Sequence, residues 1–295
     1  MTIGSVVIPA YNEEAVIGRC LERLLDGLGE DVEVVVACNG CSDRTAERAR
    51  AAGPRITVLE LPEPGKAAAI RAAEARCPAL PRVYLDADSV VSGRAVLDVV
   101  EATRSGAVAA RPPLRYDTTA CSWPVRRYYR ARARVPSLEA DLCGAGFYAL
   151  SREARERFAE YPDVTGDDLF AARIVAADEV TIVQTEPVEV RPARTSRSLL
   201  WVLRRVVRGN RELTASHAAL AAPTTRTTSG SIFQQLRRPA TVVDACIFTA
   251  FAVTARVLVR LEAPQAGTAW ERDDSARSDD GARSGAGRPA TRGAA

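Results

Sequence analysis

The chain has 295 residues, 47% of them hydrophobic and 26% charged, enough for one large or two small domains around a buried core. Collagen-like, disulfide-scaffold and wholly disordered classes are excluded. Forty Lys plus Arg against 37 Asp plus Glu leave a net charge of +3, too small an excess for a chain that lives by nucleic-acid contacts.

Histidine occurs once, as His217, so any general base is expected to be a carboxylate. Lysine also occurs once, as Lys66 directly after Gly65, in a chain that otherwise uses arginine. Either it survives by chance, or a point charge is needed there rather than a guanidinium fork. Seven cysteines, an odd number with no signal peptide before Ile3, fit a reduced cytoplasmic setting. Cys38 and Cys41 form a single C-x2-C with no second pair and no nearby histidine, which speaks against zinc.

In chain order, Ser5 to Ile8 is a short apolar run ending at Pro9, as in a buried strand. Glu13 to Leu28 places Val16, Ile17, Leu21, Leu24, Leu25 and Leu28 at helical spacing. Val32 to Ala37 is a β-branched strand, and Ser42 or Asp43 can cap a helix reaching Ala52. Ile56 to Leu61 reads as a strand, Gly65 to Arg76 as an alanine-rich helix, and Arg82 to Leu85 as a strand running into Asp86. A helix over Gly93 to Arg104 and a strand over Ala107 to Ala110 follow. This order predicts an α/β fold with a mostly parallel sheet flanked by helices. Ligands of such sheets bind beyond the carboxyl ends of the strands. Tyr11 to Glu14, Asn39 to Asp43 and Asp86 to Ser89 should therefore converge on one crevice.

Arg111 to Leu142 reads as irregular, with four prolines, seven arginines and the aromatics Tyr116, Trp123, Tyr128 and Tyr129. Gly144 to Leu150 is a strand candidate, Asp167 to Ala177 a helix with two acids in its first turn, and Val180 to Val183 and Val188 to Val190 short strands. Arg191 to Arg211 holds seven arginines and no acid, with Ser198 to Arg208 helical. Thr241 to Leu261 is apolar but carries Asp244, Arg256 and Arg260. It reads first as a buried or partner-facing helix, and second as a helix lying in a membrane interface. The expected organisation is a domain over residues 1–222, a helical segment over 223–262 and a disordered tail over 263–295, in which Trp270 stands alone.

Asp86-Ala87-Asp88 is the central acidic constellation. Two carboxylates one residue apart in a turn at a sheet edge can share a hard cation and leave its other positions to phosphate oxygens. An ordinary helix cap is the plainer alternative. Asp167-Asp168 is open to two interpretations of its own, a cap that complements a helix dipole or a general base. Neighbouring acids raise one another's pKa if both face a cleft.

Val6-Val7-Ile8-Pro9-Ala10-Tyr11-Asn12-Glu13-Glu14 resembles the opening signature of the family 2 glycosyltransferases of GT-A fold. Asn39-Gly40-Cys41-Ser42-Asp43-Arg44-Thr45, Gly65-Lys66-Ala67-Ala68-Ala69, Asp86-Ala87-Asp88 and Gly166-Asp167-Asp168-Leu169 resemble that family's later motifs, in its order, over roughly residues 3–210. The resemblance implies an inverting, metal-dependent transfer of one sugar from a nucleotide-diphospho-sugar to an acceptor hydroxyl of a glycan, a lipid-linked molecule or a small molecule. Pro9, Ala10, Tyr11 and Glu13 would lie against the nucleoside and Lys66 on the diphosphate side. Asp86, with Ala87 beside it, would approach the ribose, and Asp88 with Asp86 would hold Mn2+ or Mg2+. Asp168 would be the base with Asp167 beside it. Gly144 and Gly146 would allow close backbone approach, and Arg205 and Arg208 would steady the leaving diphosphate.

An aspartate is common in the family where Cys38 stands, so either Asn39 takes over its contact with the base or the preference for a base is relaxed. Arg205-Val206-Val207-Arg208-Gly209 lacks the Gln and Trp of the Gln-x-x-Arg-Trp motif of processive members, which argues against polymer synthesis. The chain is expected to be cytoplasmic, at the inner membrane face if residues 241–261 touch lipid. The rival readings are a silent nucleotide-sugar binder or assembly partner, and a sugar-phosphate nucleotidyltransferase. The second would want a glycine-rich loop where Pro9-Ala10-Tyr11-Asn12 stands.

Overall fold

The apolar runs near the N-terminus become four parallel strands, β1 (Gly4–Ala10), β2 (Val32–Asn39), β3 (Ile56–Leu61) and β4 (Arg82–Leu85), in the order β3-β2-β1-β4. The computed structural model describes residues 2–164, 166–216 and 225–262; the expectations for His217, Trp270 and the tail lie outside them. The sheet continues through β7 (Phe147–Leu150), antiparallel to β4, then β5 (Ala109–Arg111) and β8 (Val180–Ile182). A second, two-stranded sheet pairs β6 (Leu114–Tyr116) with β9 (Val188–Val190).

Alternation along β1 divides the core. Val6 and Ile8 face Ile17, Leu21 and Leu24 of α1 (Ile17–Leu25) and Val96 and Val99 of α4 (Gly93–Arg104). Val7 points the other way, onto Ala69, Ile70 and Ala73 of α3 (Lys66–Arg76). The predicted first helix is shorter than its apolar periodicity suggested. Residues 11–16 form a turn instead, because their polar groups bond across to the loop before α2 (Thr45–Ala51). There Ser42 N–H donates to Asn12 Oδ1 (2.8 Å), and Glu13 N–H to Thr45 Oγ1 (2.7 Å).

The segment expected to be irregular holds β6 and two helices, α5 (Trp123–Arg132) and α6 (Pro136–Glu139). Pro124 and Pro136 sit in the first turns, where no N–H is needed, so they start helices rather than break them. A short α7 (Arg152–Glu156) follows β7, and α8 (Asp167–Ile174) ends earlier than expected, before a 3-10 turn at Ala177–Glu179. The strand expected from Gly144 starts only at Phe147.

The C-terminal helices α9 (Ser196–Ser216), α10 (Thr225–Leu236) and α11 (Val242–Leu261) pack with α5 around a third core of Val125, Tyr128, Leu199, Ile232, Ala245 and Phe248. Tyr128 stacks on Phe248 at 4.9 Å between ring centroids, so it is a packing residue. Asp244, buried at the start of α11, accepts from Arg127 (3.1 Å) and Arg134 (2.8 Å), which fastens α11 to α5 and the loop after it.

Candidate active site

The carboxyl ends of β1, β2 and β4 open on the same edge of the sheet, as parallel pairing requires. β7 runs the other way, so its start lies beside the end of β4. Leu85 pairs with Phe147, and Asp86 N–H donates to Gly146 O at 2.8 Å. Gly146 has φ +60, and a Cβ there would meet Ser89 Oγ at 2.1 Å and Asp86 Oδ2 at 3.2 Å. This glycine is what lets the two strands close while leaving room for the Asp86 carboxylate.

Lys66 joins the pieces. Its ammonium lies 2.6 Å from Asp86 Oδ1 and 2.5 Å from Asp167 Oδ1. A cation in the first turn of a helix opposes the dipole, so its placement at the start of α3 is explained by these two carboxylates. Burial alone would lower the Lys66 pKa; Asp167 and Asp86 more than reverse that and hold it charged. Asp167 is buried, and its carboxyl is pushed up to about 6 by burial, with Asp86 and Asp168 adding to the shift and Lys66 opposing it. Tyr148 Oη lies 3.3 Å from Asp167 Oδ2 and 2.6 Å from Tyr161 Oη, and Tyr161 in turn donates to Asp167 O (2.8 Å).

The two neighbouring acids differ in exposure, and Asp167 is the buried one. Asp168 is half-buried, with Oδ2 accepting Gly144 N–H (2.7 Å) and the Cys143 thiol (3.4 Å). Asp168 is partly open to solvent, whereas Asp167 is buried.

The remaining predicted residues fall on two levels. Pro9 and Ala10 end β1 in the interior, Tyr11 is half-buried beyond them, and Glu13 is buried under the turn. Ala87 is buried while Asp88 is exposed in the turn after β4. Asn39 does not take the place expected of it. It is fully buried, its Nδ2 donates to Ala10 O (2.9 Å) and its Oδ1 accepts Gly65 N–H (2.9 Å). It ties β1 and β2 to the start of α3, a positioning role in place of a contact with a base. Arg205 lies over the Trp201 ring at 5.4 Å. It and Arg208 precede Gly209, where α9 passes Leu169 of α8 next to Asp168. Sequence reasoning missed Cys143, Tyr148 and Tyr161. Only Cys143, next to Gly144, lay close enough to a predicted residue to be found.

The donor set suits a hard divalent cation. Asp86 and Asp88 offer carboxylate oxygens on one turn, and Gly146 keeps the space beside Asp86 clear. No group of three or more His, Cys, Asp or Glu converges among the described residues. Two protein carboxylates with ligand oxygens and water completing the shell is how Mg2+ is commonly held.

The sequence model of glycosyl transferase family 2 matches residues 5–158, just over half of the chain. The chain belongs to glycosyl transferase family 2. A search of curated protein sequences finds no match. Among solved structures, this family 2 glycosyltransferase is similar to the mannosyltransferase PcManGT of Pyrobaculum calidifontis in complex with GDP-Man and Mn2+. Identity is 22%, TM-score 0.58, and 87% of this chain and 78% of that one are covered. It also matches glucosyl-3-phosphoglycerate synthase of Mycobacterium tuberculosis, with 25% identity, TM-score 0.45 and coverage of 68% and 79%. A third match is S. aureus TarS 1-349 in complex with UDP, with 13% identity, TM-score 0.49 and coverage of 88% and 91%. The mostly parallel sheet with flanking helices is the GT-A architecture expected from the motifs.

Proposed function

We propose that this glycosyltransferase moves one sugar from a nucleotide-diphospho-sugar to an acceptor hydroxyl with inversion at the anomeric carbon. The observation that carries the reading is Lys66 bridging Asp86 and Asp167, which brings three motifs from distant parts of the chain into one charged crevice. Ala10, Tyr11 and Glu13 would lie toward the nucleoside, and Arg205 and Arg208 toward the departing diphosphate. Asp168 takes the proton of the acceptor hydroxyl as its oxygen bonds to the anomeric carbon. The bond from that carbon to the diphosphate oxygen breaks on the opposite face. Asp167 and Lys66 hold the crevice in shape, and Lys66 places a fixed positive charge beside Asp86.

Asp86 and Asp88 would hold Mn2+ or Mg2+. When bound, such an ion supplies charge neutralisation to the leaving diphosphate. That the similar Pyrobaculum mannosyltransferase is described in complex with GDP-Man and Mn2+ supports use of a divalent metal. The Arg205-to-Gly209 segment, without the Gln and Trp of processive enzymes, favours a single transfer.

The test is Asp168→Asn assayed with a panel of nucleotide sugars and Mn2+. Nucleotide binding by calorimetry should persist while transfer falls by about 10²–10⁴, the contribution of a placed base. Unchanged turnover removes Asp168 from the reaction. Donor hydrolysis that survives chelation of metal removes the role given to Asp86 and Asp88.

We also propose a cytoplasmic enzyme that rests on an anionic membrane surface through α11. Val243, Cys246, Ala250, Val253, Val257 and Leu261 form an exposed stripe at three- and four-residue steps, flanked by exposed Arg256 and Arg260. α11 is long and apolar enough to cross a membrane. Its other side is packed into the third core and Asp244 is buried in ion pairs, which supports lying on a surface over spanning one.

A further inference from the structure

The roles assigned to the crevice use neither thiol of the C-x2-C pair, Cys38 and Cys41. After β2 the chain turns back through Gly40 at φ +61, and a Cβ there would meet Pro64 N at 2.6 Å. The turn sets Cys41 over the end of β1. Its Sγ donates to Ala10 O and accepts Asn12 N–H, each at 3.4 Å. Cys38 is the register partner of Ala10 across the sheet, and its side chain belongs to the apolar cluster that Cys41 packs against. Cys41 is half-buried and Cys38 fully buried, so an outside reagent meets Cys41 first. Asn12, held by Cys41 and by Ser42, is the one non-glycine residue at positive φ (+53) among the described residues.

We propose that Cys38 and Cys41 are a redox-responsive dithiol that closes to an intramolecular disulfide and thereby loosens the Ala10–Asn12 turn. The oxidant is a small disulfide of the glutathione class. The consequence for donor binding rests on the function proposed above; the disulfide itself does not.

The chemistry is ordinary thiol–disulfide exchange. The Cys41 thiolate attacks one sulfur of the oxidant, forming a mixed disulfide and expelling one thiolate, which takes up a proton. Cys38 then loses its proton and attacks Cys41 Sγ. The Cys38–Cys41 bond forms and the second small thiolate leaves and is protonated. One oxidant disulfide is reduced to two thiols and one protein dithiol is oxidised. The order of attack follows from the surroundings. Cys41 is drawn down to about 6, chiefly by the neighbouring Cys38 thiol and then by Asn12 N–H and Thr45, against burial and Asp43. Cys38 is shifted upward by the neighbouring Cys41 and by burial. An accessible thiolate beside a resolving thiol is the arrangement redox sensors use. Once bonded, Cys41 Sγ no longer donates to Ala10 O and is a poorer acceptor for Asn12 N–H.

The experiment uses the full chain equilibrated in glutathione redox buffers and quenched with N-ethylmaleimide. Both cysteines lie on one tryptic peptide, residues 24–44. The expected product is that peptide lighter by two hydrogens, restored by dithiothreitol. Hydrogen exchange at residues 9–14 should speed up on oxidation, and affinity for UDP or GDP should fall roughly tenfold, the equivalent of one lost hydrogen bond. Cys41→Ser should abolish all three responses, as should Cys38→Ala, which keeps a small apolar group in the buried position. Cys246→Ser should leave them unchanged. A glutathione adduct that stays on Cys41, no change in the peptide, or a disulfide without faster exchange would each overturn the proposal. If the reduced chain binds neither nucleotide, the donor reading fails, while peptide mass and exchange still decide the dithiol.

Discussion

Replacing Gly146 by alanine tests how the β4–β7 junction builds the crevice. Two costs follow from the structure. At φ +60 an L-residue carries strain of about 1–2 kcal/mol. The added methyl lands 2.1 Å from Ser89 Oγ, and Ser89 is only 5% exposed, so the oxygen has little room to retreat; overpacking of this kind costs about 1–3 kcal/mol. Together they predict a loss of roughly 2–5 kcal/mol, or a fall in Tm of roughly 4–20 °C for a chain of this size. Thermal denaturation of Gly146→Ala, Ser89→Ala and the double variant separates the two. Ser89→Ala removes the clashing oxygen, so the double variant should recover the packing share and keep only the backbone strain. The methyl also sits 3.2 Å from Asp86 Oδ2, so Gly146→Ala should lose metal-dependent donor hydrolysis by more than its stability loss explains. A Gly146→Ala protein that melts and turns over like the parent would refute this account. So would a double variant no more stable than Gly146→Ala alone.

Lys66→Met should cost about 3–5 kcal/mol in urea denaturation, because it leaves Asp86 and buried Asp167 facing one another without a cation, and adding Asp167→Asn should return part of that loss. Lys66→Arg should impair transfer nearly as much as Lys66→Met, and full activity in the Arg variant would show that any cation suffices. Burial would raise Asp244, but Arg134 and Arg127 hold it below the usual carboxylate range, so its stabilisation is present above about pH 3.8 and fades as pH falls through its folded pKa. Fluorescence of Trp123 and Trp201 should report loosening of the C-terminal layer there, and Asp244→Asn should lose that acid-side slope. The parent chain should sediment with anionic vesicles and less so as salt rises, whereas Val253→Asp with Val257→Asp should stay in solution; a parent that ignores anionic vesicles sinks the membrane contact.

The first hundred residues were legible because buried parallel strands leave unbroken apolar runs, and helices between them keep their period. Arg111 to Leu142 was not, because α5 interleaves its buried Val125, Tyr128 and Ala131 with arginines whose heads reach outward, and its proline reads as a breaker until its first-turn position is known. The motifs of the site could be read one at a time. What could not be read was their wiring. Asn39 looked like a free amide and proved to be a strut, since nothing local shows that Gly65 N–H lies across from it. Tyr148 and Tyr161 are core aromatics whose hydroxyls also reach Asp167, a connection no local motif signals.

The placement of the single lysine bears on a question that composition left open. In a chain that otherwise uses arginine, position 66 must place positive charge between two carboxylates that come from different elements, Asp86 after β4 and Asp167 at the start of α8. A guanidinium is a flat fork suited to one carboxylate in its own plane, whereas an ammonium is compact and can direct separate N–H groups at two acceptors. The position is also enclosed and at the positive end of a helix, where a bulkier cation would meet the same dipole penalty with less room to offset it. Chance retention would leave the side chain anywhere. Its placement within 2.6 Å of both acids is what a requirement for a point charge looks like. It also explains how the Asp167 carboxylate can be buried at all, since the Lys66 ammonium sits against it.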